Sequence, residues 1–212
     1  MMANPAAPIR GRQPKARKFY EMDRDLRVRG RAGYKLENED VLLQGQRLLS
    51  PPAGRRGFPN LTEHPRLLFD ERLGHFPRDL ESCHSFWLIS DRMKTVLQAI
   101  DPEGVPFLPC EVRLPDGEPG PLSWLCDVLR ILDAVDEVAS RVKIKYLPQY
   151  NAKTYQLAGG ANLVFKEDVV GAAHIFRLAH LKPAVFCDQQ IKDACKAAGL
   201  KGVSFNEFKD KA

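Results

Sequence analysis

The sequence predicts an α+β protein: a strand-rich N-terminal part, then two related strand-helix-strand units packed on a mainly antiparallel sheet. Two observations support this class. Apolar residues follow the helical period in two main stretches, whereas other apolar runs are short and separated by turn-rich connections. Two segments, residues 86–110 and 184–208, also resemble each other at an offset of 98 residues. The chain of 212 residues is long enough to bury a core without disulfides.

The N-terminal part divides into two regions by composition. Residues 1–17 are rich in Pro, Arg and Ala, which is typical of a disordered basic leader. Residues 18–80 alternate strand-like pieces with turns, so we expect strands at residues 18–23, 34–37 and 66–70. The Pro- and Gly-rich stretch at residues 50–60 predicts a loop.

Residues 81–212 form the predicted α+β region, which contains the internal repeat. Each copy begins with an apolar run of strand type and continues with an N-cap residue, Ser90 or Asp188. A helix with one apolar stripe follows, and then a Gly-Val-x-Phe strand. The stripe residues are Met93, Val96, Leu97 and Ile100 in the first copy and Ile191, Ala194, Cys195 and Ala198 in the second.

The segment between the two copies is predicted to contain mainly strands. Residues 122–140 begin as a strand, and their pattern permits a turn into helix near Asp133. Further strands are predicted at residues 141–146, 161–165 and 174–178.

The net charge of +5 belongs to the leading segment. Residues 1–35 contain ten Lys or Arg against three acidic residues, whereas the other 177 residues sum to −2. A short basic arm is more often solvated than bound to phosphates, and we do not expect nucleic acid as a partner. A nucleic-acid-binding module that uses this arm remains the first alternative.

Composition also predicts the compartment and the absence of cofactors. No apolar run approaches the length of a membrane span, and no apolar stretch follows the basic N-terminus as in a secretory signal. Five cysteines, an odd number without a CxxC pair, are typical of a reducing compartment. We therefore expect a cytoplasmic protein without membrane contact, metal site or cofactor.

No catalytic motif stands out, so the sequence predicts a protein that is not an enzyme and has no catalytic residues. An unrecognised hydrolase, the second alternative, would depend on Cys83 beside His84 or on His174. Asp133 and Glu137 would share one face if their segment were helical, as paired carboxylates of an acid/base site do. A structural role is the commoner explanation for each of these groups.

The residues that bind a partner are unknown from the sequence, with one candidate. Arg177 lies between Phe176 and Leu178 on a predicted strand, so its side chain points away from theirs. Arginine flanked by apolar positions is a common interface anchor.

Five stretches, taken in order, resemble the immunity proteins of bacterial polymorphic toxin systems, a family formerly catalogued as a domain of unknown function. Together they span Lys18 to Phe208, although residues 38–80 match none of them and the basic leader is not a family feature. The stretches are KFYEMDRD, ISDRMKTVLQ with GVPFLPCEV, WLCDVLRILDAVDEVAS, AAHIFRL, and the C-terminal helix with AAGLKGVSF.

The resemblance implies a non-enzymatic protein that binds and blocks a cognate toxin, which is expected to be encoded by the adjacent gene. It transfers no binding residue, because its motifs are structural, and it leaves the toxin, the contact surface and the oligomeric state open. Inhibitors that plug nuclease sites are typically acidic. The near-neutral body therefore favours a toxin whose inhibited surface is not strongly basic.

Overall fold

The computed structural model describes residues 16–27 and 30–209, which form two principal β-sheets, one two-stranded sheet and four α-helices. The helices are α1 (Glu39–Leu43), α2 (Asp91–Ile100), α3 (Glu167–Val170) and α4 (Gln189–Ala197), with a 3-10 turn at Pro148–Tyr150. The strands are β1 (Phe19–Arg24), β2 (Tyr34–Leu36), β3 (Arg66–Phe69), β4 (Leu80–Cys83), β5 (Phe86–Ser90), β6 (Phe107–Arg113), β7 (Ser123–Cys126), β8 (Ile131–Leu132), β9 (Lys143–Leu147), β10 (Ala152–Gln156), β11 (Ile175–Leu178), β12 (Leu181–Asp188) and β13 (Val203–Asn206).

The two principal sheets are mainly antiparallel, which confirms the predicted α+β class. The first sheet has the strand order β2-β3-β6-β7-β5-β4, and only β3 and β6 run parallel. The second has the order β13-β1-β12-β11-β8, with β11 and β8 parallel. Strands β9 and β10 pair only with each other as a hairpin.

The six-stranded sheet buries both of its faces, because side chains on β5 alternate between two cores. Trp87 and Ile89 pack in a central core, to which both principal sheets and the helices α2 and α4 contribute. Phe86 and Leu88 pack in an outer core, which residues from α1 and the 50–60 loop help to cover. This continuous apolar run is the pattern expected of a strand buried on both sides.

The five-stranded sheet is buried in the same way. On β12, Val185 and Cys187 face the central core, whereas Phe186 faces a second outer core. The molecule therefore has three apolar cores separated by two sheets.

The strand-helix-strand order predicted for residues 86–110 and 184–208 is observed in both segments. The Ser90 hydroxyl accepts a hydrogen bond from the Met93 N–H at 3.2 Å, and Asp188 accepts from the N–H groups of Gln190 and Ile191 at 3.1 and 3.3 Å. The apolar stripes of α2 and α4 meet in the central core. The two predicted N-caps are therefore confirmed.

The interpretation of the middle of the chain was partly wrong. No helix forms near Asp133, because this segment runs as the short strand β8 and then turns, with Val135 bridged to Phe165. The strand predicted at residues 161–165 is reduced to isolated bridges. Pairing with distant segments, which periodicity does not reveal, decides both cases.

Some elements of the structure were not predicted from the sequence. The short helices α1 and α3 and the strands β4 and β10 lie where turns or no element were expected.

Residues 1–15 of the predicted leader lie outside the described residues. Arg17, at its end, donates to the carbonyl groups of Gly171 and Ala173 and to Asp188. None of the helices in the described part of the chain is long and apolar enough to cross a membrane.

Shortening Leu97 tests the position of α2 in the central core. Its side chain is fully buried, so Leu97→Ala is expected to lower the free energy of unfolding by about 2 to 5 kcal/mol in urea titrations. The exposed neighbour Gln98 is the control, and Gln98→Ala is expected to change the free energy of unfolding by less than about 0.5 kcal/mol. Equal effects of the two variants would contradict the packing described above.

Candidate functional site

Arg177, the candidate interface anchor, is buried, with only 6% of its surface exposed. Its side chain points away from Phe176 and Leu178, as predicted, but this direction leads into the molecule because both faces of β11 are covered. The Nε–H group donates to the carbonyl oxygen of Val128 at 3.2 Å. Nη1 donates to the carbonyl oxygens of Lys182 and Pro183 at 2.9 and 3.0 Å.

The fourth partner of Arg177 is the fully buried carboxylate of Asp127. Its Oδ1 atom accepts from Arg177 Nη2 at 3.3 Å, from Arg56 Nε at 3.1 Å and from the Val128 N–H at 2.8 Å. Arg56 Nη2 also contacts Oδ1, and Oδ2 accepts from the Gly57 N–H at 2.7 Å. One carboxylate thus joins the end of β7, strand β11 and the 50–60 loop.

This buried cluster borders an open cleft of about 350 Å³ whose lining includes Arg56, Arg177, Lys182 and His84. Burial lowers the pKa of the Arg177 guanidinium, nearby Arg56 lowers it further, and Asp127 opposes both effects. Because the described hydrogen bonds of Arg177 are all internal, its observed role is to hold strands and loop together. A partner contact through Arg177 stays a prediction.

Cys83 lies in an environment that disfavours a nucleophile. Its side chain is 1% exposed in the outer core of the six-stranded sheet, and burial raises the pKa of its thiol to about 11. A catalytic cysteine needs a lowered pKa, because the thiolate is the reactive form. The neighbouring His84 places Nε2 at 3.4 Å from Glu39 Oε1.

His174 has a structural position at the start of β11. Its Nδ1 atom lies 2.7 Å from Oδ2 of Asp188, the residue that caps α4. Its main-chain N–H donates to Asp101 at 2.8 Å. The imidazole therefore links the strand to the beginning of the helix.

Asp133 and Glu137, the paired carboxylates of the sequence, do not share a helical face. Glu137 accepts from Lys153 Nζ at 2.6 Å and from the Tyr155 hydroxyl at 2.5 Å, and these two groups hold its pKa below its usual value. Asp133 lies 3.6 Å from Nε2 of His180. A carboxylate with a lowered pKa is a weaker base, so the geometry does not favour acid/base catalysis by Glu137.

The β9–β10 hairpin is the exposed surface that the sequence interpretation missed. Tyr146 and Tyr150 are 68% and 74% exposed near its tip. Lys143 and Lys145 lie on one face of β9, two residues apart, and both are exposed. The strand predicted at residues 141–146 is observed as β9, and the alternation in KIKY places its charged side chains on one face. Its partner strand β10 was not recognised.

The fold and these contacts define an α+β protein in which Arg177, His174 and Glu137 each bind other groups of the chain, while Cys83 is buried in an apolar core. Within residues 16–27 and 30–209, no three His, Cys, Asp or Glu side chains are grouped as metal ligands.

The model of the Immunity protein family (Imm11) matches residues 18–210, nearly the whole chain, and the chain belongs to this family. No protein with a curated description matches it. The resemblance to immunity proteins is therefore confirmed, and a function in toxin immunity is indicated.

Replacing the shared carboxylate tests the buried cluster. Asp127→Asn leaves Arg56 and Arg177 without a compensating charge, so we expect a loss of about 3 to 5 kcal/mol in the free energy of unfolding. The exposed Asp40 provides the matched control, and Asp40→Asn is expected to change the free energy of unfolding by less than about 1 kcal/mol. The measurement is chemical denaturation of both variants. A loss below about 1 kcal/mol for Asp127→Asn would show that the fold does not depend on this cluster for its stability.

Proposed function

We propose that this protein is a non-catalytic, cytoplasmic immunity protein of a bacterial polymorphic toxin system, which neutralises a cognate toxin by binding it. The family match over residues 18–210 is the observation that carries this proposal. Neutralisation by binding requires a stable scaffold and an exposed contact surface, but no catalytic group.

The state of the candidate catalytic groups supports binding over chemistry. Cys83 has a raised thiol pKa, and His174 is engaged with the cap of α4. A hydrolase that used either group would first have to displace it from these surroundings.

The nucleic-acid alternative receives no support from the described part of the basic arm. The Arg17 guanidinium donates to two carbonyl groups and to Asp188 within the body of the protein. A phosphate would have to compete with all three acceptors. We therefore retain the protein toxin as the expected partner.

Charge argues against inhibition by imitation of nucleic acid. The chain after residue 35 has a net charge of −2, whereas a mimic of a polyanion needs a strongly acidic face. The toxin surface that this protein covers is accordingly expected to be other than strongly basic.

Co-expression with the toxin encoded by the adjacent gene tests the proposal. The chain is expected to restore growth of a bacterial host that expresses this toxin, and a plasmid with an early stop codon is the control. In vitro, inhibition should reach its end point at about one equivalent and be accompanied by a stable complex, because each inhibitor occupies one toxin molecule.

Two results would contradict the proposal in different ways. Absence of both rescue and complex would remove the toxin-binding function. Complete inhibition at far less than one equivalent, with the toxin covalently altered, would replace binding by catalysis.

A further inference from the structure

The β9–β10 hairpin extends beyond the two principal sheets but is held firmly at its base. Tyr155 is buried in the outer core of the five-stranded sheet, and its main-chain N–H donates to the His180 carbonyl at 3.1 Å. At the other strand, Arg141 and Asn162 exchange two main-chain hydrogen bonds of 2.9 Å. The base is therefore fixed, whereas a two-stranded hairpin has little stability of its own.

The tip of the hairpin exposes aromatic and apolar surface. Tyr146 and Tyr150 are the two most exposed aromatic side chains among the described residues. Beside them, Leu147 and Pro148 line an open cleft of about 480 Å³ together with His180 and Lys153. Tyrosine is enriched in protein interfaces, since one ring supplies apolar contact area and a hydrogen-bonding group.

The hairpin is also a basic segment of a nearly neutral body. Residues 141–156 contain four Lys or Arg and no Asp or Glu, although the chain after residue 35 sums to −2. Lys153 is paired with Glu137. Lys143 and Lys145 have no ion pair within the described residues, so their charges face solvent uncompensated.

The register places the free charges on the side that faces away from the core. Ile144 and Tyr155 are cross-strand partners and pack against the outer core of the five-stranded sheet. Lys143 and Lys145 alternate with Ile144 and therefore lie on the opposite face. By the same alternation Tyr146 lies on the face of Ile144, whereas Tyr150 lies in the turn between the strands. A partner therefore meets the lysines along the outer face and the tyrosines around the tip.

We infer that the outer face and tip of the β9–β10 hairpin form the docking surface for an acidic patch on the partner protein. This inference rests on the proposed function and specifies its contact surface and the charge of the partner. Charge complementarity selects an acidic surface, and the exposed tyrosines with Leu147 and Pro148 favour a folded protein, which buries apolar area on contact.

The test compares three double variants of the full chain for binding to the purified toxin domain encoded by the adjacent gene. Lys143→Glu with Lys145→Glu reverses the charge of the face, and Tyr146→Ala with Tyr150→Ala removes the aromatic contact. The control, Lys35→Glu with Arg47→Glu, makes the same charge change at exposed positions outside the hairpin, on β2 and after α1.

Each hairpin variant is expected to raise the dissociation constant by roughly 100-fold or more, because hot-spot aromatic residues and opposed charges dominate such interfaces. The control is expected to stay within about twofold of the unmodified chain. Binding by the unmodified chain should weaken with added salt, and the charge-reversed variant should lose most of this dependence. Unchanged melting temperatures establish that the variants are folded.

The remaining outcomes separate this inference from the proposed function. If the unmodified chain binds and inhibits the toxin while both hairpin variants do so equally well, the docking surface is wrong and the function stands. If the unmodified chain neither binds nor protects, the function fails and the inference with it. Retention of a single-stranded RNA 20-mer that disappears with Lys143→Glu and Lys145→Glu would overturn a protein partner in favour of nucleic acid.

Discussion

The fully buried carboxylate of Asp127 is the interaction on which the arrangement of this molecule most depends. It follows β7 of one sheet, accepts from Arg177 of the other, and binds Arg56 and the Gly57 N–H of the 50–60 loop. A buried ion pair is not in itself a large source of net stability. Its importance is geometric, because the loop and both sheets must meet at one point for every charge to be satisfied.

Two further carboxylates, those of Asp188 and Asp101, likewise join separate parts of the fold. Asp188 caps α4 while it binds His174 and Arg17, and Asp101 accepts from Arg130 and from two main-chain amides. Burial raises the pKa of Asp101, but these donors outweigh it and hold the pKa below its usual value. Groups used in this way support the fold, which directs attention to the surface of the protein for the contacts of the proposed function.

Local signals were sufficient for the elements whose pattern repeats. The stripes of α2 and α4, their caps at Ser90 and Asp188, and the strands beside them follow from spacing alone, since burial of one helical face requires that spacing. Arg177 shows the limit of such reasoning. Its direction relative to Phe176 followed from strand alternation, but its burial depends on Asp127 and on a loop about 120 residues before it, which no local pattern encodes. The hairpin was half predicted, because β9 alternates clearly while β10 is irregular.

In the proposed function, the packed body is the scaffold and the open hairpin is the contact surface for the toxin. Amide hydrogen exchange of the protein, alone and in complex with the toxin encoded by the adjacent gene, tests this account most directly. It predicts that the amides of residues 143–154 exchange rapidly in the free protein and become protected in the complex, while those of β5 and β12 are slow in both. Protection confined to other surfaces, with the hairpin still exchanging rapidly, would contradict it.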